Sequence, residues 1–192
     1  MTTPTELHRP TDLTRERRGL FVSGSLGIIV CVGVSLAGQL LLPQFLAFPV
    51  DFISRLQFWA QTQIFLFVWV VLGIGWVSRT RRRSLEDISG SAFGPPSVRL
   101  RIPVAFLQNS LEQAVVASAA QLALITQLEG PQLALIVSAT VLFCIGRIAF
   151  VAGYHNGAPG RAFGFVLTFL PTLIGYVLIL ALLVRPFIPA FG

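Results

Sequence analysis

The sequence predicts an all-α integral membrane protein, a bundle of five helices. Three observations predict it. Of 192 residues, 54% are hydrophobic and only 11% are charged, where a soluble domain is about a quarter charged. Three stretches, Gly19–Leu42, Leu56–Ser78 and Ala162–Val184, contain no charge at all, and each is long enough to cross a hydrocarbon core of about 30 Å at about 1.5 Å per residue. Finally, all 14 basic residues are Arg, and all but Arg147 lie outside the apolar runs.

Two further apolar runs are each interrupted by one charge. Ile102–Leu128 carries Glu112 and Pro131–Tyr154 carries Arg147; both read as spanning helices. Arg9, Arg15, Arg17 and Arg18 precede the first helix, six more lie between Arg79 and Arg101, and Arg161 lies between the fourth and fifth helices. Only Arg55 and Arg185 fall on the other side. Basic residues collect in cytoplasmic loops, so the N-terminus is expected in the cytoplasm and the C-terminus across the membrane. The basic N-terminus also resembles a signal peptide, but the apolar run is longer than an ordinary h-region and lacks a clean cleavage site, so an uncleaved helix is expected. The expected layout is a basic cytoplasmic segment over 1–18, a spanning helix over 19–43 and a four-helix membrane unit over 53–187 with a cytoplasmic loop at 79–102.

The connections follow from turn chemistry. "SLEDISGSAFGPPS" (84–97) is a linker, since Pro95–Pro96 cannot continue a helix. Gly130–Pro131 makes a tight turn, which leaves helices three and four as an antiparallel hairpin. "HNGAPG" (155–160) makes a second turn, Pro171 is expected to kink helix five, and Pro186 with Pro189 to stop it.

The polar residues inside the apolar runs are the candidate site. Asn109 and Glu112 are three apart and share a helical face; Arg147, Phe150 and Tyr154 follow at i, i+3 and i+7 on another. Counted from the cytoplasmic ends, Asn109 and Arg147 each lie about 9 Å deep and Glu112 about 14 Å. An ion at the centre of a spanning helix costs about 2.5–3.5 kcal/mol on insertion scales. Glu112 and Arg147 are therefore expected to face inward, paired or bridged through Asn109. With Tyr154 and Arg161 they would line a basic pocket open to the cytoplasm, suited to a small anion. The bland reading is a polar clamp that fixes helix register. Cys31 and Cys144 have neither metal nor disulfide spacing. His8 and His155 stand alone, so no metal is expected. The "RTRRR" run (79–83) reads as a membrane anchor that holds anionic lipid headgroups, not a nucleic-acid surface.

These residues resemble the MAPEG family, the membrane-associated proteins in eicosanoid and glutathione metabolism, over roughly residues 53–187, with the first helix as an extra. The family's Asn-x-x-Glu pair is matched by Asn109 and Glu112. Its helix-four run of Arg, then Gly-Tyr, then Arg seven residues after the Tyr is matched without a gap by Arg147, Gly153–Tyr154 and Arg161. Gly94–Pro96 is similar to a Gly-Pro-Pro found in some members. The resemblance implies a four-helix core that assembles as a homotrimer and binds glutathione between subunits near the cytoplasmic side. It further implies that Arg161 stabilises the glutathione thiolate, while Asn109, Glu112, Arg147 and Tyr154 line the glutathione site. The implied activity is a transferase or peroxidase acting on lipophilic electrophiles. The alternative is a non-catalytic bundle in which Glu112–Arg147 is a clamp, with a transporter third. The chain departs from glutathione-using members at Ala105, Gln113 and Phe150, where they often carry Arg, Tyr and Tyr.

Overall fold

The computed structural model describes residues 13–90, 92 and 94–185. They form five long α-helices: α1 (Leu13–Phe45), α2 (Phe52–Arg81), α3 (Val98–Ile125), α4 (Ala134–Ala152) and α5 (Gly157–Val184), with short 3-10 turns at Gly130–Leu133 and Tyr154–Asn156. No strand occurs among the described residues. Four segments, Leu13–Phe45, Phe52–Arg81, Gly130–Ala152 and Tyr154–Val184, are long and apolar enough to cross a membrane. At 28 residues, α3 is about 42 Å long, but Arg99, Arg101, Gln108, Asn109, Glu112, Gln113 and Gln121 make it the most polar of the five. The chain is an integral membrane protein.

Several boundaries move outward from the charge-free runs. α1 begins at Leu13, so Arg15, Arg17 and Arg18 sit on its first turns; Arg9, Pro186 and Pro189 lie outside the described residues. The fifth helix starts at Gly157 and takes up most of the expected turn. Gly157, at φ +72°, supplies the reversal that an L side chain resists, and Pro159 sits in the first helical turn, where a missing N–H costs nothing. α5 also runs through Pro171 as one continuous helix. Next to it Thr172 Oγ1 donates to the Thr168 carbonyl at 3.1 Å, while the carbonyl that the proline deprives of an amide is that of Leu167, one turn back.

The packing order is not the chain order. α2 packs on α3, α4 on α5, and α1 lies against α5 and α4; α3 meets α5 more than it meets α4. The tight turn at Gly130 does form, with φ +53°, and its amide donates to the Pro49 carbonyl at 3.0 Å. Even so, α3 and α4 diverge from it and touch largely through side chains. The cause is the α4–α5 contact. A Cβ on Gly146 would stand 2.8 Å from the Gly164 carbonyl oxygen, and one on Gly164 would stand 2.6 Å from the Gly146 oxygen. Backbones this close require residues without side chains, as in other membrane helix pairs.

Polar side chains hold the remaining helices together. Gln63 Nε2 donates to Gln121 Oε1 at 3.1 Å, and Gln121 Nε2 to Thr140 Oγ1 at 3.4 Å, which joins α2, α3 and α4. Arg55 Nη1 donates to the Leu128 carbonyl at 2.8 Å, securing the start of α2 to the end of α3. In the 84–97 linker Asp87 is 4% exposed and accepts from the Ser97 amide at 2.9 Å and the Ser97 hydroxyl at 2.6 Å. Those bonds, the backbone amide foremost, hold its carboxyl below the usual range.

Candidate functional site

Arg147 is the centre of the site and is fully enclosed, at 0% exposure. It stands on α4 one residue after Gly146, where the α4–α5 backbones come closest. Nη1 donates to Asn109 Oδ1 on α3 at 2.8 Å, and Nη2 donates to Thr168 Oγ1 on α5 at 2.7 Å. Its guanidinium carbon lies 4.9 Å from the Phe150 ring centroid and 5.5 Å from that of Phe143. Such contacts are worth about 0.5–2 kcal/mol each, more when desolvated. Nε, also buried, has no hydrogen-bond partner among the described residues. The cation is thus held by two neutral oxygens and two aromatic faces.

A second cluster sits at the arginine-rich end of the bundle. The Arg161 guanidinium lies 4.5 Å from the Tyr154 ring centroid, and its Nε donates to the Gly157 carbonyl one turn back at 3.3 Å. Tyr154 meets Phe150 edge-to-face, with centroids 5.8 Å apart. Phe150 therefore links the clusters, and Phe143, Arg147, Phe150, Tyr154 and Arg161 form a ladder of rings and cations along the α4–α5 hairpin. Phe150 keeps the stacking surface of a Tyr but has no hydroxyl to donate.

The expected pairing of Glu112 with Arg147 does not form. Glu112 is exposed on the flank of the bundle, where its Oε1 accepts from Gln108 Nε2 at 3.1 Å. Asn109 bonds Arg147 but not Glu112, so the expected bridge is absent too. The physical reason is angular. Three residues along a helix rotate by about 300°, so Asn109 and Glu112 share a broad face yet point about 60° apart. With Asn109 aimed into the bundle at α4, Glu112 turns past its edge. Gln113, about 40° to the other side of Asn109, is buried at 8% exposure.

Sequence reasoning missed Thr168, which supplies half of Arg147's bonding. Its hydroxyl accepts from Arg147 and donates to the Phe165 carbonyl at 2.9 Å. A signal was available: Arg161, Gly164 and Thr168 follow at i, i+3 and i+7, the same spacing as Arg147, Phe150 and Tyr154 on the facing helix. Arg99, also near the arginine-rich end, lines a separate recess of about 450 Å³ with Arg79 and Arg83.

The arrangement sets a partly open cation, Arg161, at the end of a ladder that begins at the enclosed Arg147, and so can offer a small anion positive charge and neutral donors. Asn109 is half-buried, Tyr154 and Arg161 are partly open, and Glu112 offers a carboxylate from the flank. Comparison with curated proteins and with solved structures gives no match. The MAPEG family matches residues 59–181, which takes in α3 to the last turns of α5, most of α2 and every candidate residue, and the chain belongs to that family.

Proposed function

We propose that this protein is a membrane-bound transferase or peroxidase of the glutathione type, acting on lipophilic electrophiles and working as a homotrimer. Family membership supports a glutathione-related activity of this general kind. The observation that carries the finer reading is Arg147: a wholly buried guanidinium whose partners are all neutral, with no carboxylate at ion-pair distance among the described residues. A buried charge without a counter-ion is costly. An anion bound at the Arg161 end of the ladder, within the field of Arg147, would lower that cost.

In this reading Arg161 stabilises the glutathione thiolate. A free thiol has a pKa of about 8.5, and an adjacent guanidinium favours the ionised form, which is the nucleophile. The sulfur lone pair then attacks the electrophilic atom, and the displaced bonding pair leaves with the departing group. Tyr154 keeps the Arg161 guanidinium in place by stacking and can donate its hydroxyl to the ligand. Asn109 binds the tripeptide, held in orientation by Arg147, which is too enclosed to touch the ligand itself and acts through Asn109 and its field. Glu112, exposed on the flank of one chain, would in this reading receive an ammonium group in a cleft shared with a neighbouring subunit. The arginine-rich end, with the N-terminus, lies in the cytoplasm and the C-terminus across the membrane, in keeping with the positive-inside rule.

The test is ultraviolet difference absorbance of glutathione added to the purified assembly at neutral pH. Thiolate absorbance is expected with the natural chain. Arg161→Ala should raise the bound thiol's pKa by about one unit, a tenfold change in the ionisation constant, and Arg161→Lys should restore part of it. Absence of a thiolate signal in the natural chain would sink this reading. It would favour the second one, a non-catalytic bundle whose register is fixed by the Asn109–Arg147–Thr168 clamp; the complete enclosure of Arg147 is the observation on that side.

A further inference from the structure

A cavity of about 200 Å³ lies between α1, α3, α4 and α5; Phe143, which Arg147 also touches, forms part of its wall, and Arg147, Tyr154 and Arg161 do not. Small residues shape its walls, among them Ala117 and Ala120 of α3, Ala139 of α4 and Gly175 of α5. α1 closes one side with Cys31, Val32, Ser35 and Leu36, a wall that stands outside the stretch matched to the family. The rim includes Val32, Leu36 and Ile174, which are 47%, 59% and 51% exposed. They belong to two helices long and apolar enough to span the membrane, so the mouth opens toward lipid.

The cavity has little to offer water. Of its polar lining, Gln121 is engaged with Gln63 and Thr140, Thr172 donates to the Thr168 carbonyl and Cys31 Sγ to the Val166 carbonyl, which leaves the Ser35 hydroxyl as the one further polar group among the described lining residues. A buried water needs two to four polar partners, whereas an apolar cavity of about 150 Å³ stays dry and accepts benzene. A full-length acyl tail would leave most of its length outside, while a molecule of one or two rings would be enclosed whole.

We propose that this cavity is a binding site for a compact apolar molecule dissolved in the bilayer, of the size of a benzene or naphthalene derivative. The site is independent of thiol chemistry and stands whether or not the chain binds glutathione. α1 completes it, which gives the additional helix a role in ligand binding.

The experiment uses the full chain in phosphatidylcholine nanodiscs, photolabelled with a trifluoromethyl-phenyl-diazirine and mapped by peptide mass spectrometry. Labelling of the enclosed Ala117 and Ala120 is expected and should fall about tenfold with excess naphthalene, whereas labelling of outward Ile29 and Val177 should not. Ser35→Phe, which fills the cavity from α1, should lower the Ala117 and Ala120 labelling by about tenfold, equivalent to about 1.4 kcal/mol of binding. Ala139→Leu fills it from α4 and should do the same with α1 untouched, which covers the case in which Ser35→Phe displaces that helix. Labelling that naphthalene cannot reduce, that both variants leave unchanged, or that never reaches Ala117 and Ala120 because a lipid tail fills the space, would overturn the proposal.

Discussion

Arg147 and Glu112 carry opposite charges, sit within about one helical turn of the same depth in antiparallel helices, and meet opposite fates. Arg147 is sealed between α3, α4 and α5 by two hydrogen bonds and two aromatic rings. Glu112 faces outward with only Gln108 for company. The difference lies in the neighbours. α4 is pressed to α5 at Gly146 and Gly164, and that contact brings the Thr168 hydroxyl within reach of the guanidinium. α3 has no such approach to α4, so nothing draws Glu112 inward. Depth, which decides the cost of an ion in a membrane, does not decide its direction; helix-to-helix distance does.

If the glycine contact creates this contrast, breaking it should have the largest effect. Gly164→Leu would drive a side chain into the α4 backbone near Phe150 and Gly146. Flexible side chains can yield to overpacking at about 1–3 kcal/mol, but backbone cannot, so a loss of about 3 kcal/mol or more is expected. Thermal unfolding of the detergent-solubilised protein, followed by helical circular dichroism, should show it. A Gly164→Leu variant as stable as the natural chain would mean that the two helices can separate without harm.

A smaller effect sharpens the same comparison. A double-mutant cycle of Asn109→Leu with Arg147→Met should give a coupling of about 0.6–2 kcal/mol, the range measured for hydrogen bonds between membrane helices. A cycle of Glu112→Gln with Arg147→Met should give none in the dissociated chain. Coupling that appears only in the assembled protein would place Glu112 against a neighbouring subunit's charge and support the trimeric site. Coupling within the dissociated chain would contradict the geometry described for α3.

The sequence made the helices legible because charge-free runs of spanning length have few other outcomes. It made Arg147 and Asn109 legible because enclosed polar groups must find partners, and these two lie at matching depth. It did not reveal that α3 packs on α2 and α5, since that depends on which glycines meet across space. It did not separate Asn109 from Glu112 either, because a spacing of three leaves about 60° unresolved, enough to move a carboxylate from bundle interior to flank. The Gln63–Gln121–Thr140 network went unnoticed for a related reason. Neutral amides interrupt apolar runs without breaking a charge count, yet their bonds join three helices.

Asp87 tests the contrast from outside the membrane, with the smallest expected effect. It is an ion in the 84–97 linker, held chiefly by Ser97 with help from Ser84 and the Arg81 charge, rather than by a packed bundle. Its carboxyl is depressed below the ordinary value by the Ser97 amide first and the Ser97 hydroxyl second. A depressed carboxylate contributes stability that is fully present above the unfolded pKa, about 3.9, and that is lost as pH falls through the folded value. The linker should therefore keep its shape at neutral pH and loosen in acid below about pH 4, whereas the Arg147 clamp, which contains no carboxylate, should not respond over that range. Hydrogen exchange at the Ser97 amide reads the linker, and exchange in α4 reads the clamp. Asp87→Asn should speed exchange at Ser97 at neutral pH and remove its acid dependence. If α4 loosened together with the linker, the two regions would be one cooperative unit, and the separation drawn between membrane bundle and aqueous loop would fail.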